Sequence, residues 1–183
     1  MKKGKAHSPH LLKAQDQFIL EWGRMSSSWG INRTMAQIHA LLFVVGEPLD
    51  MNEIMERLQI SRGNASMNLR ELMDWGIVRR SRRPGDRKDT YHSETDPYQM
   101  FLRVARERKR REIDPTVDAI RECIAMLPEE DASEGAATLR NRLQALLEIF
   151  ELVDAAYKQI VLSDQGFAQA RQLLSKAREE SLG

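Results

Sequence analysis

The residues best suited to chemistry in this chain lie between Ser61 and Arg70, and their types favour molecular recognition over catalysis. Apolar side chains recur there with helical spacing at Ala65, Leu69 and Leu72, which predicts a helix with one buried face. The opposite face carries small, polar and cationic side chains, namely Ser61, Arg62, Gly63, Asn64, Ser66, Met67 and Arg70. The alternative is a plain surface helix, but such a helix usually exposes glutamate and lysine instead.

Side chains of these types match the edges of DNA bases. Asparagine pairs with N6 and N7 of adenine, arginine pairs with O6 and N7 of guanine, and a glycine such as Gly63 lets the backbone approach closely. Asn64 and Arg62 are therefore the predicted base-reading residues, and Asn68 is counted with the same polar face. Met67 is predicted either to touch a thymine methyl group or to pack on the segment that follows.

That following segment has the pattern of a β-hairpin. Beyond Gly76 the apolar period changes from 3.6 to 2, which predicts a strand from Ile77 to Arg83 and a returning strand from Thr90 to Thr95. Pro84-Gly85-Asp86 predicts the turn between them. A helix followed by a hairpin is the layout of a winged helix-turn-helix, in which the helix enters a DNA groove and the hairpin, or wing, lies beside it.

Cations crowd the rim of the predicted wing, at Arg79, Arg80, Arg82, Arg83, Arg87 and Lys88. Side chains alternate along a strand, so Arg80 and Arg82 share one face. We expect these two, with Lys88 and above all Arg87 at the turn, to contact DNA. The alternative is a solvated run of charge, which is the usual role of such a run.

Three helices are predicted ahead of the Ser61–Arg70 segment. The first runs from Leu11 to about Ser28, and the second, with its apolar face around Met35 to Val45, ends at Gly46. The third is short and starts at Asp50-x-x-Glu53, which has the form of a capping box. Ser61 is predicted to cap the next helix, the recognition helix, and Gly76 to end it in a left-handed conformation.

With these elements in order, the sequence resembles the GbsR/MarR-type bacterial transcriptional regulators. The likeness covers about residues 15–115 well and the later helices only in pattern. The residues that carry it are Gly30-Ile31-Asn32-Arg33-Thr34, Ser61-Arg62-Gly63-Asn64-Ala65-Ser66, Leu69-Arg70-Glu71-Leu72, Trp75-Gly76-Ile77-Val78 and Pro84-Gly85-Asp86-Arg87-Lys88.

The resemblance implies a homodimeric winged-helix regulator that binds a pseudo-palindromic operator and is often controlled by a small molecule. It implies that Arg87, which matches the family's wing-tip arginine, enters the minor groove. Lys88 stands where the wider family often has a second arginine, so this chain departs from the pattern there. The GbsR branch includes regulators of betaine synthesis and osmolyte uptake.

Residues 97–183 are predicted to form dimerisation helices. Asp114-Pro115 predicts a kink or a new helix, with Asp114 as its cap. Farther on, a heptad seam steps by four and three residues through Leu139, Leu143, Leu146, Phe150, Val153, Tyr157 and Ile160. We expect this seam to join two subunits; the alternative is that it packs against residues 113–127 of the same chain. A short last helix is predicted from Gln165 to about Arg178.

Composition narrows the class of protein. The chain carries a net charge of +1, and no run of residues approaches the roughly 18 apolar residues that cross a bilayer. The basic start lacks a following apolar segment, so no signal peptide is predicted, and the single cysteine fits a reducing compartment. We expect a cytoplasmic location, with no membrane partner.

Catalytic and metal-binding patterns are absent from the sequence. The four histidines and Cys123 have no ligand spacing, and no P-loop, nucleophile elbow or convincing acid pair occurs. We predict no enzyme activity, no metal and no cofactor. Cys123 is expected to be a buried packing residue, with a redox-sensing thiol as the alternative. Trp22 and Trp29 are candidates for an aromatic cage around a small organic cation, and the favoured alternative is that each packs in the core.

The predicted fold is therefore mainly α-helical, with a flexible arm over residues 1–10, a winged helix-turn-helix domain over 11–96 and a dimerisation region over 97–183. The predicted function is that of a homodimeric, DNA-binding transcriptional regulator whose partner is a double-stranded operator, and the predicted effect on transcription is repression. The rival hypothesis is a winged-helix module for protein interaction or assembly, and a third is a nuclease, which would need carboxylates beyond Asp86 and Asp89.

Overall fold

The computed structural model describes residues 8–82, 88–128 and 133–161, together with Gln172. Several predicted features lie outside these residues: most of the N-terminal arm, the wing tip with Arg83 and Arg87, the side chain of Ile160, and almost all of the last predicted helix. The chain divides into two compact units, Met1–Val104 and Ala105–Gly183, called here the N-terminal and C-terminal units.

Four helices build most of the N-terminal unit. They are α1 (Pro9–Ser28), α2 (Arg33–Val45), α3 (Met51–Leu58) and α4 (Arg62–Asp74). The predicted caps of α3 and α4 are confirmed: Asp50 and Glu53 form a capping box, and the Ser61 hydroxyl accepts from the backbone N–H of Asn64. Gly46 ends α2 with a φ of 69°, and Gly76, at 71°, follows α4. Both conformations are left-handed, which glycine adopts at little cost.

Three antiparallel strands complete the unit in the order β1-β3-β2. Strand β2 (Val78–Ser81) and strand β3 (Thr90–Ser93) form the predicted hairpin, although each is shorter than the sequence pattern suggested. Strand β1 (Leu49–Asp50) was not predicted; it pairs Leu49 with Tyr91 and Asp50 with Thr90. This added strand places the start of α3 directly beside the returning strand of the wing.

A single apolar cluster lies beneath α4 and the sheet. Helix α2 supplies Met35, Ile38, Leu41 and Leu42, each at most 2% exposed, and the buried stripe of α4 packs on them. The predicted inward face of α4 is confirmed at Ala65, Leu69 and Leu72. Because the core packs against only one face of α4, the opposite face of the helix is exposed to solvent.

Helix α5 (Pro97–Arg108) leads through a π-helical turn at Lys109–Ile113 into α6 (Asp114–Ala125). A new helical segment does begin at Asp114, as predicted, but Asp114 does not cap it. The chain reaches this point already helical, so no orphan N–H groups await a cap, and the Asp114 carboxylate instead accepts from Lys109 Nζ at 2.5 Å. Cys123, expected to be buried, is exposed on α6.

Helix α7 (Glu134–Val161) carries the predicted heptad seam and divides it between two faces. Leu143, Phe150 and Tyr157 are half-buried, and α7 packs against α6 within the C-terminal unit. The alternate positions point outward: Leu139, Leu146 and Val153 are between 44% and 53% exposed. Ile149 and Leu152, which were not in the predicted seam, widen this exposed stripe. Part of the seam thus packs inside its own chain.

Candidate nucleic-acid interface

The solvent-facing side of α4 carries the residues that the sequence marked for base reading. Ser61, Arg62, Gly63 and Arg70 are exposed, and Met67, at 60%, is among the most exposed large apolar side chains of the described residues. Asn64 and Ser66 are half-buried on the flanks of this face. The helix therefore presents a cationic start, a thioether at its middle and a second cation one turn later.

Asn68 does not belong to this exposed face, contrary to the sequence interpretation, because it is only 1% exposed. Its Nδ2 donates to the backbone carbonyl of Asn64 at 2.8 Å and to the Asn64 side-chain oxygen at 2.6 Å. The buried amide thus holds the Asn64 side chain in one orientation. Because this amide is already held in one orientation, it loses less rotamer freedom on binding a base than a free amide would.

The described cations of the wing are paired with carboxylates. Arg82 binds Asp89 at 2.7 Å and Arg80 lies 3.5 Å from the same carboxylate, which agrees with their sharing one face of β2. Arg79 is exposed on the other face. The charge of this edge is therefore lower than its count of basic residues suggests, although each of these arginines keeps most of its side chain in solvent.

Lys88 reaches across to the start of α3, where its Nζ lies 2.9 Å from Asp50 Oδ2. Burial raises the pKa of Asp50, but hydrogen bonds from Lys88 and from the backbone N–H groups of Glu53 and Asn52 together lower it by more. The net shift of the pKa is therefore downward. The carboxylate consequently stays ionised at neutral pH. A cleft of about 270 Å³ opens here, lined by Asp50, Met51, Asn52, Arg62, Lys88, Asp89 and Tyr91.

Arg103 of α5 ties the end of α4 to the wing. Its guanidinium donates from Nη1 to the carbonyl of Gly76 and from Nη2 approaches Glu94 at 3.0 Å. Gly76 follows α4 and Glu94 follows β3, so one side chain fixes the angle between helix and hairpin. Sequence reasoning missed this contact, because nothing local links residues 27 positions apart.

The basic run after α5 forms ion pairs with carboxylates of the C-terminal unit. Glu107 is buried and accepts from Arg110 at 2.6 Å and from Arg111 at 2.5 Å. The hydrogen bond from Arg110 lowers the pKa of Glu107, and with Arg111 it outweighs the effect of burial. Lys109 lies 3.2 Å from Asp154 of α7. Two arginines thus share one carboxylate, and the charge of this run is partly balanced within the C-terminal unit.

The two candidate ligand-binding tryptophans have different surroundings. Trp22 stacks on Phe18 with ring centroids 5.4 Å apart and lies 6.3 Å from the ring of His39, which is buried. Trp29, at the C-terminal cap of α1, is 59% exposed. Trp22 thus takes part in core packing, as the alternative interpretation held, whereas Trp29 is available to solvent.

Two other features, a metal site and a membrane span, are absent from the described residues. No group of three histidine, cysteine or acidic side chains is placed to hold a metal ion. In the same part of the chain, no helix has both the length and the apolar character required to cross a membrane.

Comparison with known proteins agrees with this arrangement. A profile of the MarR family matches residues 29–89, which run from the end of α1 to the wing. The HTH-type transcriptional repressor GbsR of Bacillus subtilis (strain 168) is 26% identical over 149 residues, which cover 79% of this chain and 81% of GbsR. The putative HTH-type transcriptional regulator YvaV of the same organism is 28% identical over 90 residues, or 49% of this chain.

The match to YvaV spans about half of that relative, 51% of its length. Among solved structures, one described as a transcriptional regulator superposes with a TM-score of 0.53, at 22% identity over 80% of this chain and 99% of the other. At that identity the superposition speaks for the fold alone. The family profile and the GbsR match support a winged-helix regulator of the MarR/GbsR type, and the superposition supports the fold.

Proposed function

We propose that this protein is a homodimeric, DNA-binding transcriptional regulator that reads a pseudo-palindromic operator with α4 and steadies itself with the wing. The observation that carries the proposal is the exposed face of α4, with Arg62, Gly63 and Met67 in solvent above a fully buried stripe. A helix that packs on the core with one face and exposes polar side chains on the other is suited to a DNA groove. A protein-binding winged helix would be expected to present apolar residues there.

Within that face we assign different roles to different side chains. Arg62 and Asn64 read base edges, and Met67 contacts a thymine methyl group, since its exposure argues against packing on the wing. Ser61, Ser66 and Arg70 flank them and contact the backbone. In the wing, Arg80, Arg82 and Lys88 approach phosphates, and Arg87, outside the described residues, enters the minor groove as the family resemblance implies.

A dimer is proposed because one winged helix contacts only a few base pairs. Two copies held about one helical turn apart, roughly 34 Å, would read both halves of an operator. The exposed stripe of α7, made by Leu139, Leu146, Ile149, Leu152 and Val153, is the surface proposed to join them. Leu143, Phe150 and Tyr157, half-buried in their own unit, would support this surface from behind.

Repression, a cytoplasmic location and control by a small organic effector are also proposed. Repression follows the name of the relative GbsR, and a cytoplasmic location fits a protein that acts on DNA. An effector would be held near Trp29, whose exposed ring is able to stack on an organic cation. No catalytic step is assigned, since the matching profile is that of the MarR family and the similar proteins are named as transcriptional regulators.

The test is selection of bound sequences from random DNA by the full chain, repeated with Asn64→Ala and Arg62→Ala. We expect wild type to enrich a two-fold related motif, and each variant to lose about 1–3 kcal/mol of binding free energy and to relax one or two positions. Glu71→Ala, on the half-buried flank of the same helix, serves as a control. Absence of any enriched motif would favour the protein-interaction alternative.

A further inference from the structure

Two carboxylates hold three of the four described wing cations. Asp50 Oδ2 accepts from Lys88 at 2.9 Å, and Asp89 accepts from Arg82 at 2.7 Å while lying 3.5 Å from Arg80. A cation in such a pair neutralises a DNA phosphate only after it leaves its carboxylate. Its contribution to DNA affinity is therefore reduced by the free energy of the pair.

The carboxylates are the less exposed members of these pairs. Asp50 Oδ1 accepts from the backbone N–H groups of Asn52 and Glu53 at 2.8 and 2.9 Å, and its side chain is 16% exposed against 61% for Lys88. Asp89 is 25% exposed, against about 60% for each of its two arginines. The lysine and the arginines are thus the more exposed members of these pairs.

Both carboxylates also border the surface that is proposed to meet the DNA backbone. They line the cleft of about 270 Å³ together with Lys88 and with Arg62, the first residue of α4. A phosphate entering this cleft meets two negative charges beside the two positive ones. Sequence-independent binding, which depends on the number of phosphates neutralised, is penalised there, whereas hydrogen bonds to base edges are unaffected.

We propose that Asp50 and Asp89 are specificity-determining residues, which limit the sequence-independent affinity for DNA by holding Lys88, Arg80 and Arg82 in ion pairs. The inference rests on the proposed DNA-binding function and deepens it. The wing cations are released to phosphates when the base contacts of α4 have formed, so the pairs act against binding at arbitrary sequences and much less against binding at the operator.

The experiment measures binding of the full chain to one duplex of fixed, arbitrary sequence as salt is raised from about 50 to 200 mM. Asp50→Asn keeps the helix cap, since asparagine caps as well as aspartate, but removes the charge that holds Lys88. The matched control is Glu53→Gln, which removes one charge from the same helical turn, keeps the capping box and leaves the Asp50–Lys88 pair in place.

We expect the slope of log K against log salt to steepen by about 0.9 in Asp50→Asn and by up to about 1.8 in Asp89→Asn, with no change in Glu53→Gln. Affinity for the duplex at low salt should rise several-fold in the first two. An unchanged slope in both would overturn the inference. So would an equal change in Glu53→Gln, because the effect would then belong to net charge and not to the pairs.

Lys88→Gln gives a second measurement that does not depend on the folding of the aspartate variants. In the wild-type background it should flatten the slope much less on the arbitrary duplex than on the selected operator, where Lys88 is released to a phosphate; an equal flattening by about 0.9 on both would contradict the inference. The proposed function fails by a different result, the absence of any motif selected from random DNA. The two failures are therefore distinguishable.

Discussion

Helices α2 and α7 are both rich in apolar residues, yet they use them in opposite ways. The apolar residues of α2 that face the core, such as Ile38, Leu41 and Leu42, are at most 1% exposed. On α7 the stripe through Leu139, Leu146 and Leu152 leaves 44% to 72% of each side chain in solvent. The N-terminal unit completes its core from one chain, whereas α7 has apolar surface that a second surface would have to cover.

Leucine-to-alanine substitutions at matched positions are the largest test of this contrast. Leu41→Ala, at a fully buried site on α2, should lower the free energy of unfolding by about 2–5 kcal/mol, because it leaves a cavity as well as losing buried area. At protein concentrations low enough to keep the chain monomeric, Leu152→Ala, at 72% exposure on α7, is the control and should change it by less than about 0.5 kcal/mol. Denaturant unfolding of both variants measures the difference; similar losses would contradict the contrast.

His39 tests how completely α2 is enclosed. Burial lowers its pKa from 6.5 to about 4, and its Nε2 has no hydrogen-bond partner between the rings of Trp22 and Phe43. Its folded-state pKa lies below the unfolded one, so its neutral form favours the folded state above pH 6.5. That stability is lost as the pH falls from 6.5 to about 4, by up to about 3 kcal/mol.

His39→Leu replaces the titrating imidazole with an apolar side chain of similar size. We expect the variant to be at least as stable as wild type at pH 7, because a buried unsatisfied nitrogen is gone. Its stability should fall less steeply than that of wild type between pH 6.5 and 4. Denaturant midpoints across this window provide the measurement, and parallel pH profiles would show that His39 is solvated.

The α7 stripe is tested by placing charge on its outward positions. Leu146→Asp with Val153→Asp should give a folded monomer, because two unpaired carboxylates cannot be buried in an interface. Sedimentation should show the monomer, and affinity for the selected operator should fall by roughly 100-fold or more as one half-site is lost. Asn141→Asp with Gln144→Asp adds the same charge to exposed polar positions and should do neither. A dimer of full affinity in the first variant would place the subunit contact elsewhere.

The smallest effect concerns α4, which is buried like α2 on one face and open like α7 on the other. Gly63 is helical, and a Cβ added there meets nothing within 4 Å, so Gly63→Ala should stabilise the fold by about 0.5–1 kcal/mol. The same methyl group should weaken operator binding if the backbone approaches the bases closely. Gly135→Ala on α7 has equal space and should leave DNA affinity unchanged.

Local signals in the sequence predicted most of the N-terminal unit. The hydroxyl of Ser61, the Asp50-x-x-Glu53 box and the glycines at 46 and 76 act within a few residues of themselves, and each behaves as its type predicts. Strand β1 was not predicted because its two residues are too few to show an alternation of apolar and polar side chains. Its pairing with β3 also joins positions about 40 residues apart in the sequence. The ion pair between Asp50 and Lys88 was missed for the same reason.

Other errors came from patterns that fit two structures equally well. A heptad seam marks apolar positions but not the chain that covers them, so it could not separate Leu143, which is half-buried, from Leu146, which is exposed. Asp114 before a proline resembles a cap, and only the helix arriving from Ile113 shows that none is required. Asn68 has a polar type at a buried position, where its partner is the side chain it orients.

The pair of Asn64 and Asn68 has a consequence for how such a protein would change over evolutionary time. Asn68 has lost almost all contact with solvent, yet it sets the direction of an amide that is proposed to read a base. A substitution at Asn68 would therefore alter operator preference from inside the molecule, without touching DNA. We expect positions 64 and 68 to change together among relatives. A relative without asparagine at position 68 should also lack it at position 64.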